Sequence, residues 1–515
     1  MTDPTTPLRL FNSMTRQIEG FVPVHPGTEG DPTDPPEARV YTCGPTVYNF
    51  QHIGNMRAYI FADTLGRALS FKGYKLKHVI NITDVGHLTS DADAGDDKME
   101  AAAAKSGKTA WDIAAFYTNA YWHDIERLNI RQPLKWSIAS DYVPQMIAFA
   151  ESIADKHCYQ LESGLYFDTS TVADYGKLAR AVTEDGAGRI DAVTGKRHAA
   201  DFAIWRTTPR GETRQMEWES PWGRGAPGWH LECSVMSEAL LGLPFDIHTG
   251  GIDHREIHHP NEIAQNQAWT GSGALKICEH SGARIWMHNN FLIDRTGKMS
   301  KSTGEFLTLQ ALVDRGFHPL AYRMMCLQAH YRSELEFSWE NLAAAFTRLK
   351  RLVSLTENLG KLAELWIKRN NIAPRSHKDW LSWKLEGKNV EGINQHLDEF
   401  SIAIADDLNT PKALSIFEKI MFLPGIETPW EMAAVATVDK VFGLDLENLT
   451  RDKLRIRPVT APITKDQIDD ALAARTSARA AKDFAKSDAI RDDLIAKGVE
   501  VMDGDPLGWD WKLEI

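Results

Sequence analysis

Apolar and polar residues change rhythm several times along the chain, and each change marks an element. A solvated stretch from Gly27 to Pro36 (GTEGDPTDPP) gives way to β-formers at Arg39 to Cys43, which predict a strand. From about Asn55 the apolar positions Tyr59, Ile60, Leu65 and Leu69 return at helical spacing, and Gly73 is a natural helix stop. β-Formers resume from Leu76 to Ile82. A strand–helix–strand order of this kind predicts a parallel sheet with a right-handed crossover. Phe245 to His248 and Ile285 to Ile293 predict two more strands, separated by a helical pattern from about Asn261. The region around 100–225 is mixed and reads as an insertion. After about residue 340 the pattern is almost wholly helical, most clearly from Phe346 to Leu359 and from Ile468 to Ala496, and Val499 to Leu513 predicts a small hairpin. The expected layout is an α/β half over 1–340, a helical region over 341–457 and a small unit over 458–515.

Composition sharpens this picture. A chain of 515 residues with 43% hydrophobic content needs more than one core. Its 25% charged residues and 16 Trp exclude a disordered polymer. The net charge of −12 excludes a protein coated in basic charge. It leaves room for a local basic stripe, such as Lys350, Arg351, Lys361, Lys368 and Arg369. The five cysteines are scattered, which suits a reducing cytosol rather than a disulfide framework, and a cytoplasmic protein is expected. The N-terminus lacks the apolar run of a signal peptide, and no stretch has the length to span a bilayer, so no membrane partner is expected.

Two short motifs carry chemistry. His52-Ile53-Gly54-Asn55 falls between the first strand and the first helix, where unpaired N–H groups and a partial positive charge suit a polyphosphate. Lys298-Met299-Ser300-Lys301-Ser302 places two lysines and two hydroxyls in a loop that can close over phosphates. Each has an ordinary reading, as a helix start and a solvated basic loop. Together they resemble the signature pair of the class I aminoacyl-tRNA synthetases, with Asn55 in the place of the family's second His.

Three further blocks narrow the resemblance. Tyr41-Thr42-Cys43-Gly44-Pro45-Thr46-Val47-Tyr48, Pro227-Gly228-Trp229-His230-Leu231-Glu232-Cys233-Ser234, and the run from Phe245 through Gly250-Gly251-Ile252-Asp253 to His258-His259-Pro260-Asn261-Glu262 resemble the cysteinyl-tRNA synthetase family. That resemblance implies a Rossmann-like class I catalytic domain with an inserted subdomain, followed by a helical bundle and a small C-terminal anticodon-binding unit. It implies a monomer that uses ATP with Mg2+, L-cysteine and tRNA(Cys), and one Zn2+ per chain on Cys43, Cys233, His258 and Glu262, with His259 as the neighbouring alternative to His258. An open position on the metal would take the substrate thiolate, which separates cysteine from serine without an editing domain. His52, Asn55, Lys298 and Lys301 would act in catalysis. Gly251, Asp253 and Met299 would join His52, Asn55 and Lys301 around ATP. Gly44, Thr46, Thr83 and Trp229 would line the cysteine pocket. Asp406 to Pro411 and Arg479 to Ala485 resemble the family's tRNA-binding half, and Trp511 is expected to stack on an anticodon base.

Some features stand apart. Val85 to Gly95 interrupts the family pattern before Asp96-Asp97-Lys98, and its His87, like His254, has no assigned role. Gly223 to Gly228 matches a dinucleotide fingerprint by letters but contains Pro227 and follows no predicted strand, and Gly107-Lys108-Thr109 echoes only the end of a P-loop. Cys158, Cys278 and Cys326 read as packing residues. Two other functions stay open: a cysteine ligase of mycothiol synthesis, which the long C-terminal half opposes, and a non-catalytic tRNA-binding paralogue.

Overall fold

The computed structural model describes residues 6–85, 98–179, 194–271, 280–294, 297–298, 307–369, 391–423, 428–513 and 515. Its centre is a parallel sheet of β1 (Glu37–Thr42), β2 (Lys75–Ile82), β3 (Lys135–Ile138), β4 (Phe245–Gly251) and β5 (Ala283–Asn289), in the order β5-β4-β1-β2-β3. The inner strands are buried along most of their length, as parallel strands covered on both faces must be. The chain reverses its winding between β1 and β4, and a doubly wound sheet opens its ligand crevice at the carboxyl ends of such a pair.

Helix α1 (Ile53–Phe71) crosses from β1 to β2. Its cap is His52, whose Nδ1 accepts the Asn55 N–H at 3.2 Å. It ends where Gly73, at φ 93°, turns the chain so that Tyr74 N–H reaches Leu69 O at 3.1 Å. The apolar spacing predicted a one-faced helix. Instead almost every position of α1 is buried, Arg57, Asp63 and Arg67 included.

Those charges survive burial because each has partners. Asp63 Oδ2 accepts from Arg67 Nε at 2.7 Å and from Arg323 Nη2 at 2.5 Å, and Asp63 Oδ1 accepts from Arg131 N–H. Arg323, wholly buried, also donates to Phe442 O and Leu128 O. Burial would raise the Asp63 carboxyl, but Arg323, Arg67 and Arg131 hold it well below the usual carboxylate range.

Two large cores cover the two sides of the sheet. One runs continuously from Leu8 and Leu10 through α1 to Phe400, Phe417, Phe442 and Leu454, so the helices Trp339–Arg369, Glu391–Ala405, Thr410–Ile420 and Thr428–Phe442 share the α/β half's interior. The other lies under an antiparallel sheet of Cys158–Leu161, Gly164–Phe167, Phe202–Thr207 and Gly225–Pro227. Within the stretch read as an insertion, Lys135–Ile138 is a strand of the central sheet, so the antiparallel addition lies beyond it. A third, small core joins helices Lys465–Ala480 and Phe484–Ala496 to the hairpin Val499–Val501 and Trp509–Trp511. Among the described residues no helix is long and apolar enough to cross a membrane.

Candidate active site and metal centre

The crevice at the β1–β4 switch point is a cleft of about 290 Å³. Cys43, Gly44, Thr46, His52, Asn55, Trp229, Gly251, Asp253 and His254 are all on its wall. Each arrives from a different carboxyl end. β1 runs into Cys43 and Gly44, and α1 starts at the rim with His52 as its cap. β4 ends in Gly251 before Asp253. Helix α2 (Leu231–Leu241) follows Trp229, and helix α3 (His258–Thr270) follows the turn after Asp253.

Close backbone approach explains two glycines. A Cβ on Gly44 would lie 1.6 Å from Asn81 O, whose own side-chain oxygen accepts the Gly44 N–H at 2.6 Å. Gly44→Ala is therefore expected to force β1 and β2 apart at the site and to lower the melting temperature, checked by a thermal melt. A Cβ on Gly54 would meet the His52 ring at 2.8 Å, so Gly54 lets that ring fold over the helix start.

One end of the cleft is a buried cluster of sulfur, nitrogen and oxygen. Cys43 Sγ lies 4.0 Å from Cys233 Sγ and 4.0 Å from Glu262 Oε1. His258 Nε2 lies 3.0 Å from Glu262 Oε1. Ligand atoms of Cys43, Cys233, His258 and Glu262 all fall within 4.8 Å of one another, close enough for small shifts to bring them onto one four-coordinate ion. A second group, Cys43, His248, His259 and Glu262, meets the same spacing. The first fits better. It uses both sulfurs, whereas the second strands Cys233 beside the ion. Its imidazole is oriented from behind, with His230 Nδ1 2.9 Å from His258 Nδ1, which turns Nε2 toward the cluster, as His288 does for His259 in the second group.

The other two histidines face the same cluster, with His259 Nε2 3.4 Å from Cys43 Sγ. His248 Nε2 donates to Glu262 Oε2 at 2.9 Å. His259 Nδ1 is 2.8 Å from His288 Nε2, and His288 Nδ1 is 2.8 Å from Ser13 Oγ. Burial would raise the Glu262 carboxyl, but His248 and His258 draw it down to about 2. Burial would lower His258, but Glu262 and Cys233 lift it to about 10. Contact with the Cys43 thiol draws Cys233 down to about 6, while burial pushes Cys43 well up. Cys233 and Glu262 are thus held in the anionic forms that bind a cation, while the Cys43 thiol and the protonated His258 would each give up a proton to one.

His230, His248, His288 and Ser13 had no role assigned from sequence, and His259 was read there only as the alternative to His258. His230, His248 and His259 stand inside the quoted motifs, and that proximity was the available signal. His288 and Ser13 carry none, because only the fold brings them near.

Thr83 departs from the cleft among the other expected site residues. Thr83 is buried, its hydroxyl donating to Glu232 Oε2 at 2.8 Å and accepting from Asn81 Nδ2 at 3.0 Å, and it is not on the cleft wall. The main chain of Lys298 pairs with Ile293 in a short hairpin. Met299, Lys301, His87 and Cys278 lie outside the described residues. His254 faces the cleft against Trp229 and His258, with ring centroids 6.1 and 4.9 Å away. Trp511 is 5% exposed and edge-on to Trp509 inside the third core, so it has no open face for a nucleobase. Cys326 is buried away from the cluster and Cys158 is half-buried.

Comparison with known proteins agrees with this geometry. Residues 30–347 match the family described as tRNA synthetases class I (C) catalytic domain. The chain is 63% identical to the cysteine–tRNA ligase of Novosphingobium aromaticivorans, over 99% of this chain and 98% of that one. It is 51% identical to the cysteine–tRNA ligase of Zymomonas mobilis, over 100% and 99%. Among solved structures, the fold is similar to a leucyl-tRNA synthetase of Agrobacterium radiobacter in a ternary complex with tRNA (TM-score 0.53, 12% identity, 81% of this chain and 84% of that one). It is also similar to a methionyl-tRNA synthetase of Mycobacterium tuberculosis in complex with methionyl-adenylate (TM-score 0.52, 15% identity, 79% and 89%). A likeness to both cysteine–tRNA ligases that runs the length of the chain, on a doubly wound fold with the cleft at its switch point, shows that the chain belongs to the cysteine–tRNA ligases, class I synthetases that charge tRNA.

Proposed function

We propose that this chain joins L-cysteine to tRNA(Cys) in two steps at the cleft, and that it selects cysteine with a zinc ion on Cys43, Cys233, His258 and Glu262. The observation that supports this best is the convergence of those four buried side chains at one end of the cleft that carries His52 and Asn55. In the first step a cysteine carboxylate oxygen attacks the α-phosphate of ATP, cysteinyl-adenylate forms and pyrophosphate leaves. In the second the terminal ribose hydroxyl of the tRNA attacks the activated carbonyl and AMP leaves. When bound, the zinc supplies a soft Lewis acid with room for a thiolate and little affinity for a serine hydroxyl.

The chain's own residues do the rest. Trp229 and Gly44 would wall the amino-acid end, and Asp253, which lines the same cleft, would bind the ribose of ATP. With His52 Nδ1 accepting from Asn55 N–H, the ring proton is on Nε2, where it can donate to a phosphate oxygen. Lys298 and Lys301 would close over the same charge, so positioning and electrostatics carry the reaction, with Mg2+ on the nucleotide.

The test is cysteine-dependent ATP–pyrophosphate exchange, run beside zinc analysis. Exchange with cysteine and little with serine, on protein carrying about one zinc per chain, is expected. Exchange in metal-free protein would end the zinc assignment. Charging of tRNA in the same preparation separates the activity from joining cysteine to an amino sugar. His52→Asn is expected to keep the helix cap, since Asn caps as well as any residue, and so the melting temperature. It is expected to lower kcat of exchange by about 10²-fold, the scale of one lost transition-state donor. A variant that melts early and exchanges normally would make His52 a cap only.

A further inference from the structure

Three aromatic rings stand together just outside the cleft, and no step above uses them. Phe50 and Phe116 are 42% and 48% exposed and meet edge to face at 5.9 Å between centroids. Tyr117 packs edge-on to both, at 5.1 and 5.0 Å. Lys108 Nζ sits 5.2 Å from the centre of the Phe116 ring. Two solvent-facing Phe rings in contact leave apolar area that a polar neighbour would ordinarily cover, and such patches mark contact sites.

Position says which contact. Phe50 lies between Tyr48 and Gln51, both on the cleft wall, and its N–H is tied to the Asn49 side chain at 2.8 Å, so the ring is held at the rim. Phe116 and Tyr117 belong to the helix Ala110–Arg127, whose start is fixed by a capping box between Thr109 and Asp112. The Gly107-Lys108-Thr109 sequence is thus a helix entry that leaves a lysine beside an exposed ring. Any charging step must bring an unpaired polynucleotide end past this rim, because the terminal ribose reacts inside the cleft. Exposed aromatic faces beside a cation are what an unpaired strand needs, the rings for bases and the ammonium for a phosphate.

We propose that Phe50, Phe116 and Lys108 form a stacking platform that guides the unpaired 3′ end of the tRNA into the cleft. The proposal rests on the tRNA-charging activity, and its test is separable from that activity.

In full-length enzyme, Phe116→Ala removes an exposed ring and leaves a good helix former. Cysteine-dependent pyrophosphate exchange, which needs no tRNA, is expected to stay at the native rate. Charging is expected to lose about tenfold in kcat/KM for tRNA, mostly through KM, the scale of one lost base stack. Phe116→Trp should restore charging. A tRNA with abasic residues in place of its unpaired bases next to the terminal adenosine should cost the native enzyme about as much, and should cost Phe116→Ala little more. Unchanged charging by Phe116→Ala, exchange that falls in step with charging, or losses that multiply when variant and abasic tRNA are combined would each overturn the proposal.

Discussion

Cys43→Ser is expected to release zinc from the protein and to lower cysteine-dependent pyrophosphate exchange by more than about 100-fold, since even partners behind a metal ligand cost 10–100-fold when removed. Cys43 is the decisive position because it belongs to both possible ligand groups. A serine hydroxyl there is a harder and less acidic donor, and it cannot replace a thiolate on zinc at neutral pH. Metal content by elemental analysis and exchange rate should fall together. Cys326→Ser, at a buried sulfur away from the cluster, should change neither. The histidine pair then separates the groups. His258→Gln should lose the metal outright, while His259→Gln, which removes an orienting partner, should weaken its binding about 10–100-fold. The reverse order would assign the ion to the second group.

Asp63→Asn is expected to destabilise the protein by about 3–5 kcal/mol, because it leaves Arg323 and Arg67 in a dry interior with no counter-charge. Chemical denaturation followed by tryptophan fluorescence reads this as an earlier first transition. Asp503→Asn is the surface control. It breaks the pair with Arg475, but Asp503 is about half exposed, so the cost should stay under about 1 kcal/mol. Native stability should show the same chemistry against pH. The Asp63 carboxyl is lowered in the folded state, so its contribution is complete above the unfolded value of about 3.9 and is lost only as acid passes toward its folded value. The Asp63 variant should lack that acid-dependent part, and an Asp63→Asn protein as stable as the native one would refute the network's role.

Much of the site was legible because its chemistry sits in contiguous motifs. His52 to Asn55 caps the first helix after a strand, and the four zinc-type side chains meet although Cys43 and Glu262 are 219 positions apart. The periodicity of α1 was readable as helix but not as a helix buried on all sides, because Arg57, Asp63 and Arg67 look like a solvated face until their partners, far along the chain, are known. Strand β3 escaped notice for a related reason. Lys-Trp-Ser-Ile at a sheet edge has one neighbouring strand and needs little apolar character to pair. Trp511 is a ring whose sequence position suggested an RNA contact and whose burial made it core. The exposed ring of that unit is Phe484, at 62%. The orienting histidines were invisible as a set, since three dimensions alone join Ser13 to His288 and His259.

The interior shared by the α/β half and the helices after it sets what can be cut from the gene. Phe71 meets Phe400 edge to face at 5.7 Å, and Asn129 Nδ2 donates to Gly443 O at 2.9 Å across the same boundary. A product ending near residue 340 would present the outer flank of α1 to water as a broad oily surface, and should collect in inclusion bodies. A product ending near 457 would keep that flank covered and lose a unit with its own small interior, tied to the rest mainly by the Lys350–Asp510 and Arg451–Asp505 pairs and the packing of Leu513. It should stay soluble and make adenylate while failing to charge tRNA. The chain is therefore divisible, but the fold draws the line after the bundle rather than before it.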